Sequence, residues 1–154
     1  MKKKLTMVLL AFVLCTTSLF IVDMKANAQG TEEDVAYESL LTEDALIGNM
    51  QSQTWGVYLS SGTSIINDAG GGKIGAGGKT SAATYCKVSV NVVVERKVGS
   101  SWVRVTSWTA TNSNALLVTT GKTISVASGY YYRVRCVHSA STDTSSSCTS
   151  SLWM

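Results

Sequence analysis

"CKVSVNVVVERKV", residues 86 to 98, alternates apolar and polar side chains along most of its length. Cys86, Val88, Val90, Val92 and Val94 share one face and Lys87, Ser89, Asn91 and Glu95 the other, and a period of two is the mark of a half-buried β-strand. Gly99-Ser100-Ser101 then turns the chain into "WVRVTSWTAT" (102–111), which predicts a hairpin. The phase of Val103 and Val105 does not carry through to Trp108. The spacing therefore predicts a bulge near Thr106-Ser107, or else one of Trp102 and Trp108 facing water.

Working toward the C-terminus, "ALLVTT", a turn at Gly121-Lys122, "TISVAS", Gly129 and "YYYRVRCVHSA" follow in order. In the last of these, Tyr130, Tyr132, Val134 and Cys136 fall on one face and Tyr131, Arg133 and Arg135 on the other. A Ser-rich loop leads to a final strand ending "CTSSLWM". With a strand near Trp55–Leu59 and another in the glycine-rich run at 68–82, the pattern gives seven to nine short strands. An all-β antiparallel β-sandwich of immunoglobulin-like type is the economical way to bury them. The chain has no proline, so its turns rest on Gly, Asn, Asp and Ser.

Working toward the N-terminus, "TEEDVAYESLLTEDALIGNM" (31–50) has acids at its front, apolar residues at Val35, Leu40, Leu41, Leu46 and Ile47, and Gly48 as a stop. A short amphipathic helix or partly ordered acidic arm over residues 29–52 is expected, ahead of a β domain at 53–154. Residues 1–28 read as a secretory signal peptide: three lysines, an apolar run from Leu5 to Val22, and Ala26-Asn27-Ala28 as the cleavage site. This predicts an extracellular protein, held at a membrane only if the leader stays uncleaved.

Four of the 13 basic residues and one of the 10 acidic ones belong to that leader, which leaves nine against nine. The remaining charge is split: residues 29–68 hold seven acids and no base, residues 69–154 nine bases and two acids, Glu95 and Asp143. A cationic C-terminal part suits anionic surfaces such as wall polymers, acidic glycans or lipid head groups, unless the acidic arm folds back and neutralises it. Nothing in this balance points to nucleic acid.

"DAGGGKIGAGGKTSA" (68–82) superficially resembles a phosphate cradle. Gly70, Gly72 and Gly75 satisfy G-x-G-x-x-G and Gly78-Lys79-Thr80 the end of a P-loop, yet Lys73 stands where the P-loop needs its first glycine. Both motifs also need a helix next, to aim backbone N–H groups at phosphate, and here a strand follows. No nucleotide and no cofactor is predicted; the glycines are expected to serve close backbone approach, positive φ and sheet bends.

Cys86, Cys136 and Cys148 are the cysteines after the leader, and an odd number in an exported chain allows one disulfide among them, with all three pairings open. His138 beside Cys136 makes a zinc stoichiometry without a C-x-x-C knuckle, and a Cys-His nucleophile pair is disfavoured by the inward face of Cys136. No two acids are spaced to nominate a catalytic pair. No metal site and no enzymatic activity is expected.

The aromatic residues carry the one candidate site. Tyr131, Arg133 and Arg135, with Trp102 and Trp108, form a possible ligand face that would take a sugar or anionic polymer by ring stacking and charge-assisted hydrogen bonds. The competing arrangement is cross-strand pairing, with Glu95 or Asp143 neutralising an arginine.

The succession of leader, acidic arm, "GGGKIGAGGKTSA", "CKVSVNVVVERKVGSSWVRVTSW", "GYYYRVRCVHSA" and Ser-rich tail resembles a family of small secreted proteins of unknown function from Gram-positive bacteria, clostridia and relatives especially. The resemblance implies a bacterial extracellular location and brings no activity or site residues with it. The expected function is a non-catalytic binding or interaction module for cell envelope or glycan. The alternative is a secreted antibacterial or toxin-like protein whose acidic segment is a pro-region.

Overall fold

In the computed structural model, which describes residues 31–50 and 56–154, eight antiparallel strands form a sandwich-like all-β fold. The leader, its cleavage site and Trp55 lie outside the described residues. The strands are β1 (Glu32–Val35), β2 (Leu46–Asn49), β3 (Leu59–Gly70), β4 (Lys73–Val98), β5 (Ser101–Ser125), β6 (Tyr131–Ala140), β7 (Asp143–Cys148) and β8 (Leu152–Trp153).

Two of them are not short. β4 runs 26 residues and β5 25, paired along nearly their whole length from the turn at Gly99-Ser100. The ladder is interrupted where Ser81 and Cys86 of β4 face Leu117 and Ala115 of β5. There the ribbon folds over, so each long strand serves both layers. The first half of β4 lies with β3, β2, the second half of β5 and β1; the second half of β4 lies with the first half of β5 and with β6, which carries β7 and β8. Val88, Val90, Val92 and Val94 are fully buried on the inner face, against Ile66, Ile74, Ala76, Val134 and Cys136. The period-two reading of this stretch is what the fold displays.

Three expectations are corrected. Gly121-Lys122 is not a turn: Gly121 sits mid-strand between Val35 of β1 and Gly77 of β4, and the break in phase that resembled a turn is the fold-over six residues earlier. The Ser-rich loop is instead strand β7, hydroxyl-bearing because half its residues face water. Residues 31–49 are not a helical arm. They supply β1 and β2 on opposite edges of one layer and, between them, a single 3-10 turn at Tyr37–Leu40.

That turn explains the glycines. Gly75, Gly77 and Gly121 share the outer face of the first layer, and a β-carbon at any of them would meet the Leu40 side chain at 3.0 Å or less. Leu40, 3 % exposed, sits in the socket they leave, and Asn67 Nδ2 donates to its carbonyl at 3.0 Å. On the inner face, Gly78 leaves room for Cys136, Val90 and Val92. Gly71 and Gly72, with φ of +60° and +73°, form the two-residue turn joining β3 to β4. The run serves shape, in three distinct ways.

Candidate functional site

The expected bulge exists, one residue from the predicted place. Val94 faces Thr106 and Glu95 faces Arg104, so Val105 has no partner on β4. The extra residue shifts the phase of β5 and sends its two tryptophans to opposite sides. Trp102, opposite Lys97, falls on the outer face of the second layer with Glu95, Arg133 and Arg135. Trp108, opposite Val92, falls on the inner face, where its Nε1–H donates to the Thr120 hydroxyl at 3.0 Å and Lys122 Nζ lies 5.4 Å from the ring centroid. Trp108 is therefore corrected out of the ligand face.

The other four predicted residues come together. Glu95 is the centre: though on the outer face it is only 8 % exposed, covered by the long side chains around it. Arg133 Nε donates to its carboxylate at 2.7 Å, and Arg135 Nε approaches the other oxygen at 3.5 Å. The Arg133 guanidinium carbon lies 4.2 Å from the centre of the Trp102 ring, so that cation is held between an acid and an aromatic face. Tyr131 meets Trp153 of β8 edge to face, centroids 4.8 Å apart, and both stay open to solvent at 45 % and 57 %. Trp153 was not among the predicted face residues; its place follows from the pairing of Tyr131 with Trp153 across β6 and β8, a pairing no local pattern announces.

Of the two competing arrangements, the cross-strand pairing is present at Glu95. Glu95 pairs with the arginines, yet Arg135 keeps 44 % of its side chain in solvent. Asp143 does not neutralise an arginine: its carboxylate accepts the N–H groups of Tyr58 and Leu59, at 2.6 and 3.0 Å, and these hold it below the usual carboxylate range. The acidic N-terminal segment folds back only locally. Glu32 takes Lys122 at 2.9 Å and the Thr106 hydroxyl at 2.6 Å, and that hydroxyl, ahead of the lysine, lowers its pKa.

Cys86, Cys136 and Cys148 are all free thiols, so none of the three open pairings is formed. Cys86 lies at the fold-over, Cys136 points into the core and Cys148 is exposed. Burial pushes the Cys136 thiol far up, and its Sγ approaches the Gly77 carbonyl at 3.7 Å. His138 is equally enclosed. Its two ring nitrogens contact the hydroxyls of Thr80 at 2.7 Å and Ser147 at 2.8 Å, tying β6 to β4 and β7, and burial pushes its pKa down to about 4. A neutral ring with both nitrogens satisfied and no solvent access is a structural bridge.

No family model and no curated protein matches this chain. Among solved structures it resembles the solution structure of R. palustris CsgH, at 19 % identity over 53 % of this chain and 83 % of that one, with a TM-score of 0.36.

Proposed function

We propose that this protein is an exported, non-catalytic binding module that holds an anionic glycan or cell-envelope polymer on the outer face of its second layer. The observation that carries this reading is the arrangement around Glu95: an exposed Tyr131–Trp153 pair on one side, a Trp102–Arg133 stack on the other, and the partly free Arg135 between strands. Exposed aromatic rings stack on the apolar faces of sugar rings, and a guanidinium offers paired N–H donors to a carboxylate or phosphate. A flat sheet face suits an extended polymer better than a small substrate. Glu95 aims the arginines and limits the net attraction, which favours reading a repeated, moderately charged chain over a single dense anion.

The test is affinity electrophoresis through gels holding polygalacturonate, a wall teichoic acid or neutral dextran. Retardation by the acidic polymers, weakened about tenfold by Trp153→Ala and by Arg135→Ala, supports the reading. Equal retardation by dextran, or retardation that neither substitution alters, overturns it.

A further inference from the structure

Beyond the second half of the hairpin the two layers part. Where β5 ends at Ser125 they leave an open cleft of about 420 Å³, on the inner side of the strands whose outer side carries the aromatic face. Its apolar wall is Val103, Val105, Val126 and Ala127, and Val105 is the residue the bulge leaves without a partner. Arg96 lines it from the inner face; Arg104 borders it too but, opposite Glu95, belongs to the outer face, and neither is in an ion pair among the described residues.

Arg96 is held in place. Its guanidinium carbon lies 4.4 Å from the centre of the Tyr130 ring, and its Nε is enclosed without any hydrogen-bond acceptor. The neighbouring Tyr132 hydroxyl donates to the Ala127 carbonyl at 2.8 Å, and burial raises that phenol while Arg96 opposes the rise. That Nε is closed to ligand as it is to water; what the cleft offers an oxyanion is the charge of a guanidinium that has no carboxylate beside it among the described residues. The volume lies within the range of small-ligand clefts, whose common form is an apolar wall with a few fixed polar groups.

We propose that this cleft binds a small amphiphile: one carboxylate or phosphate head on Arg96, with a short apolar body against Val103, Val105, Val126 and Ala127. The site is separate from the polymer face and stands whether or not that face binds glycan. The head group is the shared chemistry, and two probes distinguish its sources.

Octanoate and octyl phosphate, with octylammonium and octanol as controls, are titrated into the full chain while the backbone amides of Val103, Val126 and Ala127 are followed by NMR, so that binding elsewhere is not counted. Saturable shifts with octanoate or octyl phosphate support the site, the tighter of the two naming the head group. A loss of about tenfold or more in Arg96→Met supports it further. Val126→Phe, which fills the cleft and leaves Arg96 in place, is expected to abolish the shifts and serves if Arg96→Met does not fold. Shifts of the same size with octylammonium or octanol, no shift with either anion, or unchanged binding in both variants overturn the proposal.

Discussion

Gly78 lies directly beneath the thiol of Cys136: a β-carbon at position 78 would stand 2.8 Å from that sulfur and 2.8 Å from Val90 Cγ2. All three belong to strands that must close on one another, and the valine and cysteine are fully buried. Gly78→Ala therefore forces the layers apart and is expected to cost about 1–3 kcal/mol. Gly71→Asn, in a turn with open space around it and a left-handed φ that asparagine tolerates, is expected to cost under about 0.5 kcal/mol. Urea unfolding midpoints of the two variants compare them; equal losses would show that the glycines do not divide into these two roles.

Stability is expected to depend on pH through His138. Its pKa is about 4 folded against an ordinary 6.5, so the unfolded chain binds the extra proton first as pH falls. The contribution is fully present above pH 6.5 and is lost progressively toward pH 4, by about 3 kcal/mol in all. His138→Gln should lower stability at pH 7 and flatten the slope between those limits. An unaltered slope in thermal melts across that range would assign it to other groups.

Removing the acid at the centre of the outer face should change binding and stability in opposite directions. Glu95→Gln leaves Arg133 and Arg135 without their counter-charge, so retention by polygalacturonate is expected to rise about threefold or more at low salt. Because Glu95 is buried and Arg135 is not, the stability loss is expected near 1–2 kcal/mol. If retention falls instead, the carboxylate's positioning of the arginines outweighs its neutralising effect.

Leu40→Ala is expected to cost about 2–5 kcal/mol, since no neighbour can fill a socket made of three glycines. Chain beginning after residue 50 would lose β1, β2 and Leu40 together, leaving Ile65, which packs against Tyr37 and Leu40, exposed. Such a fragment is expected to lose its cooperative melt by circular dichroism. A fragment that melts as sharply as the whole chain would instead favour the reading of a removable acidic pro-region.

The strand Cys86–Val98, the faces of Tyr131–Ala140 and the bulge in β5 were legible because each is a local alternation or a break in one. The socket for Leu40 was not. Its three glycines come from two strands and its occupant from a third segment, so no window of sequence contains it. The same holds for Trp153, placed beside Tyr131 by a pairing across 22 residues. Trp108 was misassigned because a break in phase near Thr106-Ser107 leaves open which tryptophan turns inward. The helix or partly ordered arm expected at 31–50 gives way to strands for a different reason: apolar residues at 35, 40, 41, 46 and 47 fit a 3.6-residue period loosely, and Val35, Leu40, Leu46 and Ile47 each find a separate place on the sheet while Leu41 stays exposed.

The fold-over at Ser81–Cys86 has a mechanical consequence. Since both long strands pass through it, neither half of the molecule owns a complete set of its own strands. Force applied across the molecule must load one continuous ribbon, which should rupture in a single event.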